Sequence, residues 1–336
     1  MSIDLYLRCK RSPNARAIEK IIFPLGWEKQ EYFPGSKNLS YQWFHRENFE
    51  STRGCWLFLS KPSDDDPSDT KLVFHAYSNA GRSHEDVEAQ NGVIKALRKA
   101  FEGSIYNPQE GKQSYLENDI PKLSPSEKAC GFTYIDFQHN LNRASMAVSD
   151  ISERTQKMME LSEWYATLDV GIVRNNTLLP FLIASLESFL KEFFIAYLET
   201  HPDVQKKIYE KKSKIEYSEL KKLLIGEKTL AELEADNYTF QNLYSANNAY
   251  KNYIDVDIFK ILDKRKKVKN QSRVVRDVVV EMLDLRHRII HAAYIDISLD
   301  RSRMERYVSY TRKAGELFVN TFLSEKSFRI DLEEYV

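Results

Sequence analysis

Along its first part the chain alternates apolar and polar positions, then changes to a helical period. IDLYLRC (3–9) has strand character, and PNARAIEKIIFPLG, ending at Gly26, reads as a short helix closed by that glycine. YQWFHRE (41–47), GCWLFLS (54–60) and KLVFHAYS (71–78) are rich in aromatic and β-branched residues and are separated by polar turns such as PSDDDPSD. Short connections between consecutive strands favour an antiparallel sheet. A helix is expected over 83–101, with Ser83 and Asp86 at capping-box spacing. The run 103–126 is rich in turn formers and reads as a linker or a long surface excursion, after which GFTYIDF (131–137) is expected to return a last strand to the sheet.

After about residue 141, Gly and Pro become rare and the period is that of helices. Expected helices cover 142–168, 178–199, 273–294 and 302–323, with a lysine-rich stretch over 205–224 and an Asn/Tyr-rich segment between the second and third. LLPFLIASLESFLKEFFIAYLE is apolar on so many sides that it should be the central helix of a bundle. The expected fold class is therefore α+β. A small antiparallel-sheet α+β domain occupies 1–138, with a polar loop or linker at about 103–130, and an all-α bundle with a lysine-rich insertion occupies 139–336. No internal repeat is visible.

Composition narrows the functional classes. A chain of 336 residues suffices for two domains, and 49 basic against 49 acidic residues leave no global field, so any basic surface must be local. Cys9, Cys55 and Cys130 are widely spaced with no CxxC pair, which argues against a disulfide framework or a zinc site and fits a reducing cytoplasm. No apolar run approaches the roughly 20 residues of a membrane span, and the polar start does not fit a signal peptide. A phosphate-binding glycine loop, a GxSxG elbow and an HExxH pair are all missing from the sequence, and His45, His75 and His139 lack metal-ligand spacing. No metal or other cofactor is expected.

The chemistry concentrates in LDLRHRIIH (283–291). At 100° per residue, Val275, Val278, Met282, Leu285 and Ile289 form one apolar stripe, and Val279, Leu283 and Ile290 widen it. Arg286 falls within the widened arc. Asp284, His287 and His291 gather on the adjoining polar side, the two histidines one turn apart. Arg286 either snorkels outward, pairs with a buried carboxylate such as Glu187 on the central helix, or belongs to an active site. Just upstream, KILDKRKKVKNQSRVVR (260–276) sets eight basic residues against Asp263 alone. It is either a solvated edge or an RNA phosphate track formed by Lys264, Arg265, Lys266, Lys267, Lys269 and Arg273. The YSNAGRSHED strand-to-helix turn (77–86), with Arg82, is a weaker anion candidate, because capping by Ser83 explains most of its pattern. Tyr41, Trp43 and Trp56 are assigned to the sheet core rather than to a stacking platform.

With Arg286, polar His287 directly after it and His291 after four intervening residues, preceded by FLIASLESFL and followed by RMERYVSYTRKAGELFVNTFL, residues 141–326 resemble the HEPN superfamily (higher eukaryotes and prokaryotes nucleotide-binding domain). The N-terminal part resembles no family. The resemblance implies a helical-bundle, metal-independent endoribonuclease acting as a homodimer, with Arg286 and His291 catalytic and His287 and Asp284 assisting. It also implies settings such as toxin–antitoxin systems, antiviral defence or RNA processing, with a possible antitoxin or regulatory partner protein. Two alternatives stay open. One is a non-catalytic HEPN-like module that dimerises and binds nucleotide or a partner; the other is an inert antitoxin-like partner of a nucleotidyltransferase. The resemblance further implies motif copies from two protomers lining one cleft; that arrangement eases the roughly 140° divergence of Arg286 and His291 on an ideal helix, and Arg286 is expected to meet the second copy.

Overall fold

The structure, a computed structural model, describes residues 2–31, 39–45, 53–160, 162–211 and 214–330. Positions 46–47 of the second expected strand, 161 in an expected helix, 212–213 in the lysine-rich stretch, and 331–336 lie outside them. The chain forms two compact units, divided between Lys128 and Ala129 rather than at the expected 138/139 boundary.

In the first unit the described strands β1 (Ile3–Cys9), β2 (Glu28–Lys29), β3 (Ser40–Trp43), β4 (Cys55–Ser60), β5 (Leu72–Ser78) and β6 (Ser104–Tyr106) make one sheet of order β2-β3-β4-β5-β1-β6. All pairings are antiparallel, and β1 lies between β5 and β6 with Leu5 opposite Ala76 and Leu7 opposite Ile105. Alternation decides the faces. Leu5, Leu7, Cys9, Tyr41, Trp43, Cys55, Leu57, Phe74 and Ala76 point to the core, where α1 (Ala15–Ile22) and α2 (His84–Phe101) supply Ile18, Ile22, Val87, Ile94 and Leu97. Tyr41 and Trp43 are thus core residues as expected. Trp56 is not, because it lies on the opposite face, where its ring stacks on Phe58 with centroids 6.0 Å apart.

Gly26 closes the 3-10 turn (Phe23–Leu25) that follows α1, at φ 82°, the left-handed conformation that favours glycine. Buried Gln90 fastens α2 to the sheet. Its amide nitrogen donates to the carbonyls of Ile3 (3.0 Å) and Ala76 (2.9 Å), and its oxygen accepts from Ser78 Oγ at 2.8 Å. Ser83 and Asp86 form the capping box. The Asp86 carboxylate also accepts from the backbone N–H of Gly54 at 3.2 Å and of Ser83 at 2.8 Å. A resident carboxylate thereby fills the turn in which the sequence suggested an anion, so the 77–86 candidate is withdrawn. The 103–130 run is no free linker. β6 extends the sheet, and Asn91 clasps Leu116 through reciprocal 3.0 Å bonds to its backbone N–H and carbonyl.

The expected strand 131–137 is instead the middle of a helix, α3 (Pro125–Ala147), started by Pro125 and by the mutual bonds of Ser124 and Glu127. Residues 129–138 are buried on nearly every side, so their aromatic and apolar residues are spread round the helix and its period is hidden. This placement also moves the unit boundary. The single helix expected over 142–168 is broken. α3 ends at Ala147, then come α4 (Glu153–Met159) and a 3-10 segment (Glu163–Leu168). Tertiary partners take over the backbone in between: Asn175 bonds both the N–H and the carbonyl of Ser149 at 3.0 Å, and Asp169 accepts from Ser152 N at 3.2 Å.

The central helix α5 (Val170–Thr200) starts well before the expected position 178, capped by Asp169, whose side chain accepts from Gly171 N (2.8 Å) and Ile172 N (3.1 Å). Gly171 is needed there, since a Cβ would stand 2.0 Å from the carbonyl oxygen of Asp150. Phe189 and Phe193 of α5 meet Phe318 edge-on at 5.6 and 5.1 Å, and Phe193 meets Phe322 at 4.9 Å. Those two partners belong to the last helix, α12 (Arg301–Lys326). Shorter helices α6 (Pro202–Lys211), α7 (Tyr217–Leu224), α8 (Leu230–Ala235), α9 (Leu243–Tyr253) and α10 (Ile258–Leu262) fill the sequence before the motif helix, α11 (Val275–Ala292). The second unit is not all-α. β7 (Arg265–Val268) and β8 (Gln271–Val274) form an antiparallel hairpin out of the basic run, and for that reason α11 starts at Val275 rather than at 273.

Candidate functional site

α11 buries Val275, Val278, Val279, Met282 and Leu285, the greater part of the predicted stripe. Ile289 is only half-buried and Ile290 is 50% exposed, so the apolar arc narrows toward the C-terminal end of the helix. Arg286 points to α5 and donates through Nη1 to Glu187 Oε1, the two side chains being 17% and 12% exposed. In this structure the arginine is met by the carboxylate of its own chain's central helix, where the sequence reading favoured a second copy of α11. Burial pushes the Glu187 carboxyl above its ordinary range, with Arg286 pulling the other way.

His287 and His291 are both exposed, one turn apart, with ring centroids 4.5 Å apart and planes inclined by 45°. Asp284 is exposed one turn earlier, and among the described residues no hydrogen bond or ion pair joins it to either imidazole. The helix ends where Ala293 turns left-handed (φ 48°) and its N–H bonds the carbonyl of Arg288. The Arg288 guanidinium lies 4.7 Å over the ring of Tyr294. The structure therefore sorts the motif into two parts. Arg286 is anchored inward by Glu187, while the two imidazoles stand together in solvent.

The loop after α11 is tied to α5. Asn176 Nδ2 donates to the Asp296 carbonyl at 3.0 Å, Asp296 N donates to Asn176 Oδ1 at 2.8 Å, and Asn175 Nδ2 donates to the Leu299 carbonyl at 3.1 Å. Asn175 and Asn176 are both fully buried. They set the height of the end of α11 against α5, and with it the position of the imidazoles.

The hairpin divides the six predicted RNA-binding residues. Arg265 Nη1 donates across the hairpin to the Ser272 carbonyl at 2.8 Å, Lys269 pairs with Glu305 at 2.5 Å and Arg273 pairs with Glu281 at 2.7 Å. Lys264, Lys266 and Lys267 take part in no ion pair among the described residues, and Lys264 and Lys267 are exposed. Directly opposite residues share a face, so Lys266 lies on the side of Arg273, and Arg265 and Lys267 lie on the other.

Sequence reasoning overlooked a cleft of about 190 Å³ between the hairpin, α11 and α12, lined by Gln271, Arg273, Val278, Glu281, Arg303, Arg306, Tyr307 and Tyr310. Its α12 members are spaced 303, 306/307, 310, one face of a helix. That spacing, in the run RSRMERYVSY (301–310), was the available signal. Glu281 accepts from Arg273, Arg303 and the Tyr307 hydroxyl, and these partners outweigh its burial and hold its carboxyl below the ordinary range. Among the described residues, no helix is long and apolar enough to cross a membrane. Comparison with protein-family models, with curated proteins and with solved structures finds no match to this chain.

Proposed function

We propose that this protein is a metal-independent endoribonuclease of the HEPN type, acting in the cytoplasm as a homodimer and serving as a toxin or phage-defence effector. The observation that carries this reading is the His287–His291 pair, two exposed imidazoles 4.5 Å apart beside an anchored arginine. Histidine titrates near neutrality, so one ring can remove the proton from a ribose 2′-hydroxyl while a second donates to the departing 5′-oxygen. The 2′-oxygen forms the new bond to phosphorus as the 5′-oxygen bond breaks, leaving a 2′,3′-cyclic phosphate and a 5′-hydroxyl. Arg286 stabilises the charge growing on the phosphoryl oxygens, and Glu187 orients its fork. Asp284, on the same exposed side as His287, assists the imidazoles. Arg286 and His291 lie on different sides of α11, and this reading completes the site with motif copies from two protomers, Arg286 turning part of its fork from Glu187 to the phosphate.

The test is cleavage of RNA in EDTA with analysis of the ends. Cyclic-phosphate products are expected, together with rates lowered about 100-fold or more in Arg286→Ala and His291→Ala. Variants that cut as fast as the wild type sink the proposal. The Arg286–Glu187 pair favours one other reading, in which Arg286 only fastens α11 to α5 and the bundle is a non-catalytic dimerisation and nucleotide- or partner-binding module. A folded dimer that cuts no RNA is the outcome that selects it.

A further inference from the structure

We infer that the cleft between the β7–β8 hairpin, α11 and α12 is a phosphate-binding site whose principal ligand is Arg306, with Arg273 and Lys266 beside it. Three guanidiniums line the cleft against one carboxylate, Glu281. Their states differ. Arg303 is consumed by the fold: Nε donates to the Tyr307 hydroxyl at 2.9 Å, Nη1 to Asp296 at 3.0 Å and to the Ser298 hydroxyl at 2.5 Å, and Nη2 to Glu281 at 3.2 Å. Arg273 gives one nitrogen to Glu281 and keeps its other donors. Arg306 is half-buried and, among the described residues, its one side-chain hydrogen bond is to a neutral group, the Ser302 hydroxyl at 2.8 Å.

A half-buried guanidinium balanced only by a hydroxyl is poorly compensated, and a tetrahedral anion with several acceptor oxygens is the ligand that suits it. Lys266 faces the same side from the position opposite Arg273 and adds positive charge. The walls are preformed. The Tyr310 hydroxyl lies 3.2 Å from the carbonyls of both Lys266 and Gln271, which fixes the hairpin on α12, and the Tyr307 hydroxyl is held by Glu281 and Arg303. A volume of about 190 Å³ accommodates a phosphate and part of what it is attached to. Arg273 and Lys266, assigned from sequence to an RNA track, join this site through a helix face that the track did not include. Neither Arg286 nor either exposed imidazole belongs to the cleft, so the inference stands whether or not the chain cleaves RNA.

The phosphate can come from a nucleic-acid backbone or from a free phosphate or mononucleotide, and the experiment separates these sources. Full-length protein is titrated with inorganic phosphate, with adenosine monophosphate and with a fluorescent 2′-deoxy oligonucleotide, which has no 2′-hydroxyl and so cannot be cut by the proposed chemistry. Chloride at matched ionic strength is the reference. Arg306→Gln is expected to weaken binding about tenfold, while Arg143→Gln, an equal charge loss at an exposed arginine elsewhere, leaves it unchanged. Ser302→Ala, which frees the Arg306 fork without removing it, is expected to bind at least as well as the wild type. Arg306-dependent binding of the oligonucleotide alone identifies a backbone site. Arg306-dependent binding of phosphate or the mononucleotide with similar strength identifies a free-ligand site. The inference is overturned if no probe binds, if Arg306→Gln and Arg143→Gln behave alike, or if Ser302→Ala loses binding.

Discussion

Asn176 and Asp296 hold each other as a β-pair would, although one contributes a side-chain amide and the other its backbone. The amide nitrogen donates to the Asp296 carbonyl at 3.0 Å and the amide oxygen accepts the Asp296 N–H at 2.8 Å, with both residues buried. Asn176→Ala leaves a buried donor and a buried acceptor without partners, each costing about 1–3 kcal/mol. A loss of roughly 2–4 kcal/mol in denaturant melts is expected. Asn176→Asp keeps the acceptor but turns a buried carboxylate oxygen toward the Asp296 carbonyl, so at neutral pH it should be destabilised at least as much as Asn176→Ala. If Asn176→Ala melts with the wild type, the loop after α11 is not held in this way.

The Arg286–Glu187 pair gives a second expectation, with a pH signature. Burial raises the Glu187 carboxyl in the folded chain, and Arg286 opposes that rise. A raised carboxyl favours folding most below its unfolded value, and the contribution is lost as pH climbs through the folded value. Removing Arg286 enlarges the rise. Arg286→Ala should therefore be least destabilised near pH 4 and progressively more destabilised toward neutrality, by about 2 kcal/mol at pH 7 after allowance for partial exposure. Arg286→Ala combined with Glu187→Gln should recover much of that loss and flatten the pH dependence. Stability differences that stay constant from pH 4 to 7 remove the ion pair from the account. Because this readout concerns folding alone, it separates Arg286 as a fastener of α11 from Arg286 as a catalytic group.

The elements legible from sequence are those whose burial is one-sided. β1, β4, α2 and the apolar stripe of α11 each show one face to the core, so their periods survive in the residue order. α3 does not, because its middle is buried nearly all round and Gly131 with its aromatic neighbours imitates a strand. The break after Ala147 was hidden for another reason. Asn175, on α5, rather than any neighbour in sequence, supplies partners to Ser149. Within the candidate site, helical angles correctly set the two histidines together and Arg286 apart. The charge run 260–276 hid a hairpin, since a sequence of lysines and arginines carries no alternation of hydrophobicity even though Val268 is buried. The cleft depends on side chains from the hairpin, α11 and α12, which only the tertiary structure brings together.

Two exposed lysines at the hairpin yield the last expectation. Lys264 and Lys267 are exposed and take part in no ion pair among the described residues, in contrast to Lys269 and Arg273, which are already matched by Glu305 and Glu281. If RNA is bound by this protein, the two unmatched lysines can release counterions from its backbone at no cost to internal pairs. Lys269 and Arg273 are each neutralised in part by a carboxylate already, so a phosphate at either releases fewer counterions. Each phosphate neutralised on a single strand contributes about 0.7 to the slope of log affinity against log salt. Lys264→Ser with Lys267→Ser should lower that slope by roughly 1.4 and leave the melting temperature unchanged. Lys269→Ser should change the slope little and lower stability slightly, by about 0.5 kcal/mol, through the lost surface pair with Glu305. Anisotropy titrations of a single-stranded RNA from 50 to 300 mM salt, roughly the range over which such slopes are resolved, measure this directly. An unchanged slope in the Lys264/Lys267 variant excludes these two lysines from the RNA path and directs attention to the hairpin face that carries Lys266 and Arg273, of which Arg273 lines the cleft.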